Sequence, residues 1–351
     1  MPGSEQTTAP QMRLRCGSVS NVSEREHSSG ERDDRPPLSV TGCRRVAVLG
    51  AGFIGLNLVR RLLGGDSEVA VLDHNAAPAD LVGRVRWIRG EFADPKAIAQ
   101  VLDGAGVAFH LVSSTVPGDE HVEVSRELSD NIFATLGFLE VCERLAVPRV
   151  VFASSSSVYG LQAQVPIAET AVTDPISSHG IQKLAIEKYL LLRRFHRGLD
   201  VRIARLSNPF GPGQRLYGRQ GFVTLTIGHL LNDEPILLRD GGRPIRDFLY
   251  IDDVTEALDR LANQAEAPSV LNIGSGVGHP LQQVVHMVEE AIGRPVRFIT
   301  ADARRADIPV SILDVTLAEQ SIGFRAIVPL GDGLLRTLRH YGIDTPGSSG
   351  S

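Results

Sequence analysis

The chain has 351 residues, of which 42% are hydrophobic and 22% charged, and its formal net charge is −5. Such a composition is that of an ordinary globular protein, long enough for two packed cores or for one large domain with a smaller annex. The negative charge and the absence of clustered Lys and Arg exclude an extended nucleic-acid surface. No apolar run reaches the ~20 residues needed to cross a bilayer, so we expect no membrane partner.

Cysteine use and the chain ends indicate where the protein works. The three cysteines form no CxxC pair, which is typical of a reducing compartment. The N-terminus lacks the apolar centre of a signal peptide, and we therefore expect a cytoplasmic protein. Residues 1–44 have no sustained period and are predicted to be a disordered extension. Residues 342–351 are predicted to form a flexible tail.

Between these ends, short β-branched runs alternate with helical patterns. The predicted strands cover residues 44–50, 68–73, 84–90, 107–112, 149–155 and 200–206. The predicted helices include residues 53–63, 125–145 and 180–196. This alternation predicts an α/β fold with a doubly wound parallel sheet and helices on both faces. Beyond residue 207, glycine- and proline-rich turns predict a smaller, less regular lobe.

A glycine motif follows the first predicted strand. Gly50, Gly52 and Gly55 form a GxGxxG pattern at the opening of a helix, and Asp73 ends the second strand. Glycines there allow a tight turn, close approach of a pyrophosphate and close packing of helix on strand. The Asp73 carboxylate suits a ribose diol and would repel a 2′-phosphate. The pattern predicts a dinucleotide site that prefers NAD to NADP.

Several motifs then occur together between residues 45 and 341: LGAGFIG, SSSSVYG, GIQKLAIEKYL, SNPFGPGQ, GGRPIRDFLYIDDV, NIGSG and RRADIPVSILD. In order and approximate spacing they resemble the extended short-chain dehydrogenase/reductase family, in particular its NAD-dependent epimerase/dehydratase branch. The resemblance implies an NAD-binding Rossmann domain over residues 45–207 plus 247–273. It also implies a nucleotide-sugar-binding lobe over residues 208–246 plus 274–341.

The resemblance implies a catalytic group of Ser155, His179 and Lys183, with His179 where the family carries a tyrosine. Removing the proton of a sugar hydroxyl requires a base within about 3 Å or a relaying water. Neutral imidazole, with an ordinary pKa of about 6.5, is a competent base, but it is shorter than a phenol. Three readings stay open: His179 is the base, a water or Ser155 relays protons beside it, or the site binds without efficient turnover.

Two neighbouring features limit which reactions and which catalytic base the sequence favours. Dehydratases of this branch follow their catalytic Thr with an Asp-Glu pair, whereas this chain has Ser156 and Ser157, so 4,6-dehydration is disfavoured. Tyr159 offers another phenol, but the resemblance places it in a structural turn. None of the histidines forms a metal-binding spacing such as HxxxH, and no metal site is predicted.

The remaining site residues come from the resemblance. The implied cofactor contacts, besides the three glycines, Asp73 and Lys183, are Phe53, Ile54, Glu91, Leu111, Asn131 and Ser154. The implied substrate contacts, besides Ser155, are Asn208, Arg246, Arg304 and Asp307, with Asp307 binding a ribose or orienting Arg304. The chain departs from the family at Glu91, where an Asp is usual, and over residues 110–121, which lack the usual alanines.

Together these features predict an NAD-dependent nucleotide-sugar 4-epimerase that oxidises C4 transiently and reduces it again, with a UDP-hexose as substrate. One alternative is a nucleotide-sugar 4-ketoreductase that consumes reduced cofactor. Another is a catalytically weak protein that binds NAD or a nucleotide sugar. The family resemblance further implies a homodimer formed through the helices at residues 125–145 and 180–196.

Overall fold

A computed structural model of the protein describes residues 44–115, 124–304 and 307–345. The predicted N-terminal extension lies outside the described residues except for its last residue. The second half of the predicted tail, residues 346–351, also lies outside them, as do residues 116–121 of the segment that departs from the family. The candidate site residues all lie within the described ranges.

Seven parallel strands form the central sheet in the order β10-β6-β5-β4-β1-β2-β3. Six of them coincide with the predicted strands to within a few residues, and the seventh, β10, adds an edge. The strands are β1 (Arg44–Leu49), β2 (Ser67–Asp73), β3 (Arg86–Arg89), β4 (Val107–His110), β5 (Arg149–Ser155), β6 (Asp200–Leu206) and β10 (Val270–Ile273).

The helices pack on this sheet and on the part of the chain that follows β6. Their bounds are α1 (Phe53–Leu62), α2 (Pro95–Leu102), α3 (Val124–Leu128), α4 (Ala134–Arg144), α5 (Ser178–Arg197), α6 (Phe222–Leu231), α7 (Ile251–Asn263), α8 (Leu281–Ile292), α9 (Thr316–Ile322) and α10 (Leu330–His340).

Both faces of the sheet are buried, which explains its nearly continuous apolar strands. Successive side chains of a strand point to opposite faces. In β1, Val46 and Val48 accordingly join one core cluster, whereas Ala47 and Leu49 join the other. The first cluster includes residues of α1 and α7, and the second includes residues of α2, α4 and α5. The sheet is therefore a fixed platform for the loops at its ends.

The helix predicted over residues 125–145 is interrupted. A π-helical turn, Ser129–Phe133, separates α3 from α4. Such turns insert an extra residue into the helical ladder and are frequent at functional sites. Here the widened turn carries Asn131, which is 3% exposed and bonds to the loop after β4. The buried positions of α3 and of this turn are the polar Glu127 and Asn131, so hydrophobic periodicity gives no signal there, and the sequence predicted an uninterrupted helix.

Smaller sheets form the part of the chain after β6. One sheet contains β7 (Asn208–Phe210), β9 (Ile245–Tyr250), β11 (Gly278–Pro280) and β13 (Val310–Ser311), and another pairs β8 (Ile236–Arg239) with β12 (Phe298–Ala301). Residues 247–250, predicted with the nucleotide-binding domain, form the end of β9 in this smaller sheet. The helix α7 that follows packs against α1 and β5. Within the described ranges, no helix is long and apolar enough to cross a membrane.

Candidate active site

The site residues gather at one edge of the central sheet. In a parallel sheet all carboxyl ends lie on the same edge, and ligands bind where the strand order reverses direction. Here the order reverses between β1 and β4. The glycine-rich turn follows β1, Leu111 follows β4, Ser155 ends β5 and Asn208 lies just beyond β6. Four separate predictions thus fall along one edge.

Two of the three glycines are required by protein packing. Gly50 has φ +95°, and a Cβ there would lie 2.9 Å from the Val112 nitrogen. A Cβ on Gly55 would lie 2.0 Å from the Gly50 carbonyl oxygen, so α1 could not approach β1 this closely with any other residue. A Cβ on Gly52, in contrast, would meet no protein atom within 4 Å. Gly52 therefore borders open space, where a pyrophosphate would pass.

The start of α1 suits an anion. Gly52 is its N-cap and no side chain caps the first turn, so its N–H groups face outward with the positive end of the helix dipole. Asp73 lies beside the turn: its Oδ2 accepts a hydrogen bond from the Ala51 nitrogen at 2.7 Å. Its Oδ1 accepts from the Asn75 nitrogen at 2.8 Å. These residues fit a bound dinucleotide.

The other predicted cofactor residues differ in how exposed they are and in which element they belong to. Phe53 and Ile54 begin α1, and Leu111 donates its N–H to the Leu49 carbonyl at 2.9 Å. Glu91 is exposed just after β3. Ser154 is 3% exposed, and its hydroxyl donates to Glu187 behind the strand. Any contact of Ser154 with a cofactor would therefore use its backbone.

The helix α5 begins against the turn that follows β5. Ser177 caps it by accepting a hydrogen bond from the Gly180 nitrogen at 3.1 Å. A Cβ on Gly180 would lie 2.5 Å from the Ser157 carbonyl oxygen. Glycine at that position therefore lets the first turn of α5 lie directly on the turn Ser156–Tyr159. This close approach brings His179 to the carboxyl edge of the sheet.

His179 is 8% exposed and is held by a neighbour that the sequence analysis did not identify. Its Nδ1 lies 2.8 Å from the Thr115 hydroxyl, in the loop after β4. Burial and the charge of Lys183 lower the pKa of His179 to about 3, while a hydrogen bond with the backbone of Thr115 acts in the opposite direction. The imidazole is thus neutral at physiological pH, as required of a base.

Lys183 lies one turn after His179 on the same side of α5. Its ammonium donates to the Ala153 carbonyl at 2.8 Å and lies 4.7 Å from the centre of the Phe152 ring. Burial lowers the pKa of Lys183 to about 8, and the Glu187 carboxylate partly opposes this. The lysine therefore lies against β5, two residues before Ser155.

Ser155 is half-buried at the end of β5. Its hydroxyl accepts hydrogen bonds from the Ser157 nitrogen at 3.2 Å and from the Ser157 hydroxyl at 3.0 Å. Ser155 thereby caps the turn that supports the start of α5. The positions of Ser156 and Ser157 hold hydroxyls, which cannot serve as the acid and base of a dehydration.

Tyr159 lies in the core, away from the site. It is fully buried, donates its hydroxyl proton to Asn272 at 2.6 Å and accepts from Arg205 at 3.0 Å. Burial raises the pKa of Tyr159 despite the charge of Arg205. Arg205 also forms a buried ion pair with Glu187 at 2.7 Å. This network fixes α5 against β5 and β6 and leaves the Tyr159 phenol protonated.

Four of the predicted substrate residues lie on the part of the chain that follows β6. Arg304 donates to Asp307 through Nε at 3.1 Å and Nη2 at 3.0 Å. Partial burial acts to raise the pKa of Asp307, but the hydrogen bonds and charge of Arg304 lower it overall. Burial lowers the pKa of Arg246, which the nearby Asp307 carboxylate partly offsets. Asn208 donates to the Asp247 carbonyl at 2.9 Å. Two arginines therefore flank one carboxylate.

Thr115 and Gln182 are the site residues that sequence reasoning missed. Gln182 is 2% exposed and accepts a hydrogen bond from Asn131 at 2.8 Å. The available signal was the polar run at residues 113–115, directly after β4, at the edge where ligands bind. Within the described ranges, no cluster of His, Cys, Asp and Glu could hold a metal ion.

Comparison with known proteins gives a family match over more than half of the chain. The model of the NAD dependent epimerase/dehydratase family matches residues 46–274. Among curated relatives, a dTDP-4-dehydro-6-deoxyglucose reductase of Escherichia coli is 25% identical over 301 residues, covering 83% of this chain and 95% of the relative.

Two solved structures resemble the fold along nearly their whole length. The UDP-glucose 4-epimerase of Thermotoga maritima, solved with UDP-glucose, has a TM-score of 0.79 and 28% identity, covering 85% of this chain and 98% of its own. MoeE5, solved with UDP-glucose and NAD, has a TM-score of 0.77 and 31% identity, with the same two coverages. The comparisons confirm the Rossmann fold and the cofactor NAD that the sequence predicted.

Proposed function

We propose, because the chain belongs to the NAD-dependent epimerase/dehydratase family, that it is a nucleotide-sugar 4-epimerase. It would resemble UDP-glucose 4-epimerases and use His179 in place of the usual tyrosine. The observation that carries the proposal is the position of His179. Its imidazole is neutral, bonded to Thr115 through Nδ1 and placed one helical turn before Lys183.

The protein's own residues support this chemistry. Bound NAD supplies the hydride acceptor and donor for C4 of the sugar. His179 would take the proton of the C4 hydroxyl during oxidation and return it during reduction. Ser155 would donate a hydrogen bond to the C4 oxygen, and Lys183 would hold the nicotinamide ribose. Asn131 would lie beside the nicotinamide.

The second lobe supports a nucleoside diphosphate as the recognised group. Arg246 and Arg304 are planar donors that suit phosphate oxygens. Asp307 accepts two hydrogen bonds from the Arg304 guanidinium and so orients it. Asn208, beyond β6, would contribute an amide donor. A UDP-hexose fits this arrangement and agrees with the UDP-glucose present in the two similar structures.

The test is an assay of the purified protein with NAD and UDP-glucose, UDP-galactose and their N-acetyl forms between pH 6 and 9. We expect isomerisation at C4 without net formation of NADH. In D2O the product should carry no deuterium at C4, because the hydride returns to the carbon that lost it. Absence of isomerisation with all four sugars at every pH would contradict the proposal.

Two variants decide whether His179 is used. His179→Ala should lower kcat by about 10²- to 10⁴-fold, the usual contribution of a general base. NAD content should stay the same, since the glycine-rich turn is untouched. His179→Tyr separates the remaining readings: a loss of turnover means that the imidazole serves as base in this pocket. A large gain means that the wild-type site binds its ligands but turns over weakly.

A 4-ketoreductase is the second candidate, favoured by the similarity to a dTDP-4-dehydro-6-deoxyglucose reductase. Such an enzyme would consume one reduced cofactor for each 4-keto sugar nucleotide. The decrease in NADH absorbance with a 4-keto substrate measures it directly. Stoichiometric consumption, together with no isomerisation of UDP-hexoses, would replace the epimerase proposal by this one.

We also propose a cytoplasmic homodimer formed through α4 and α5. Exposed apolar side chains recur at helical spacing on one side of α5: Ile181 (53% exposed), Tyr189 (41%), Leu192 (47%) and Phe195 (83%). Phe133, next to α4, is 65% exposed. Light scattering should give twice the chain mass, and Leu192→Glu with Phe195→Glu should give monomers. The sparse cysteines support a reducing compartment.

A further inference from the structure

Among the residues that the structure describes, Thr115 is the one whose side chain bonds to the imidazole of His179. Their atoms Nδ1 and Oγ1 lie 2.8 Å apart, and His179 and Thr115 are 8% and 5% exposed. A buried hydrogen bond of this length is geometrically strong and shielded from competing water. It ties the first turn of α5 to the loop after β4, 64 positions earlier in the chain.

The loop that carries Thr115 is itself anchored. The side-chain oxygen Oδ1 of Asn131 accepts from the Ser114 nitrogen at 2.9 Å, and the Asn131 side-chain amide donates to the Ser114 hydroxyl at 2.9 Å. The same amide donates to Gln182 at 2.8 Å, three residues after His179 on α5. Asn131 therefore connects the loop that carries Thr115 with the helix that carries His179. The position of the Thr115 hydroxyl is set by the π-helical turn and by α5 together.

This geometry determines which ring nitrogen can react. A neutral imidazole carries one proton, and the hydrogen bond made by one nitrogen decides the state of the other. Nδ1 is occupied by Thr115, so Nε2 is the nitrogen left for the substrate. For Nε2 to accept a proton, Nδ1 must carry the hydrogen and donate it to Thr115. The Ser113 hydroxyl, 3.3 Å from Thr115 Oγ1, can accept the threonine's own proton.

We propose that Thr115 is a positioning residue that holds His179 with its proton on Nδ1 and its lone pair on Nε2 directed to the sugar. The inference rests on the proposed function. During oxidation the O–H bond at C4 breaks and its proton forms a bond to Nε2, while the C4 hydrogen leaves as hydride to NAD. The resulting imidazolium keeps its Nδ1 hydrogen on Thr115. On reduction the Nε2 proton returns to the C4 oxygen.

The direct test is ¹⁵N NMR of protein labelled at its ten histidines, with His179→Gln to assign the signal. It is recorded on the protein as purified, without any sugar. We expect His179 to show a protonated Nδ1 and an unprotonated Nε2. Thr115→Val should shift the proton toward Nε2, and Thr115→Ser should restore the wild-type pattern. A wild-type His179 protonated on Nε2 would overturn the inference.

Kinetics supply the second readout. Thr115→Val should lower kcat about 10- to 100-fold, within the range of acid–base effects, while KM for the nucleotide sugar changes less than about twofold. Thr115→Ser should recover most of the loss. Thr226→Val is the matched control, because Thr226 is equally buried and bonds to the Phe222 carbonyl in α6.

The two readouts separate the two claims. The expected proton position without isomerisation of any sugar would defeat the proposed function and leave the positioning role intact. If kcat and the proton position are both unchanged in Thr115→Val, the positioning role is wrong. The proposed epimerase function would not be affected by that result. If Thr115→Val does not fold, the wild-type spectrum and Thr115→Ser still decide the question.

Discussion

Two helices begin at the same edge of the sheet, α1 and α5, and they are used differently. No side chain caps α1, so its first turn presents backbone N–H groups. Ser177 caps α5 by accepting from the Gly180 nitrogen, so one of the first N–H groups is already occupied, and the first turn carries His179. Each helix depends on one glycine for close approach, Gly55 and Gly180. In the proposed function, α1 would bind the cofactor through its backbone, whereas α5 would act through a side chain that its neighbours fix.

Among the substitutions that test this difference between α1 and α5, Gly55→Ala has the largest expected effect on stability. Its Cβ would lie 2.0 Å from the Gly50 carbonyl oxygen, a distance that no rotamer change can relieve. Overpacking usually costs about 1–3 kcal/mol, and backbone atoms cannot yield as side chains do. We therefore expect more than about 3 kcal/mol of lost unfolding free energy. Urea unfolding followed by circular dichroism measures it.

Gly52→Ala is the matched control for that variant. Its Cβ would meet no protein atom within 4 Å, so the unfolding free energy should change little. NAD affinity should fall, because the added methyl group occupies the open space beside the start of α1. Equal destabilisation by the two alanines would show that the close approach at Gly55 is unimportant.

The pH dependence of the unfolding free energy tests the environment of His179 at the start of α5. The pKa of His179 is about 3 in the folded chain and about 6.5 when unfolded. Between these values only the unfolded chain binds the proton, so stability is lost as pH falls below 6.5, by up to about 1.4 kcal/mol per pH unit. Above 6.5 the contribution is constant.

His179→Gln should remove this part of the acid dependence, giving a shallower slope than wild type in urea unfolding between pH 4.5 and 7. His110 is also buried, and burial lowers its pKa in the same direction. Since His110 is present in both proteins, the difference between the slopes isolates His179. Parallel slopes would contradict the buried, neutral imidazole.

The smallest expected effect concerns the cap of α5. Ser177→Ala leaves the Gly180 N–H without its side-chain partner and should cost about 1 kcal/mol. Ser177→Asn keeps an accepting oxygen and should stay within a few tenths of wild type. Thermal unfolding measures both. If Ser177→Ala leaves the unfolding free energy unchanged, the α5 terminus, like that of α1, needs no side-chain cap.

Some parts of the candidate site could be proposed from the sequence alone for a physical reason. Backbone recognition of a pyrophosphate requires glycine at set intervals, so Gly50, Gly52 and Gly55 are visible in the sequence itself. The strand pattern was equally visible, because a sheet buried on both faces needs continuous apolar runs. Thr115 was not assigned, because the polar run at residues 113–115 does not show which segment its hydroxyl meets, and that contact with α5 forms only on folding. The π-helical turn at Asn131 was missed because the residues buried there and in α3 are polar, so the hydrophobic pattern carries no signal at that point.

By itself the sequence determined the parallel sheet, the NAD-binding turn and the identity of the residue at position 179. Hydrophobic periodicity and glycine spacing are local properties of the sequence. They can be recognised without knowing which distant segments come into contact in the fold. The tertiary structure alone decided the environment of that histidine: its burial, its neutral state beside Lys183 and its hydrogen bond to Thr115. These depend on contacts between distant segments, because only folding brings the loop after β4 against the start of α5.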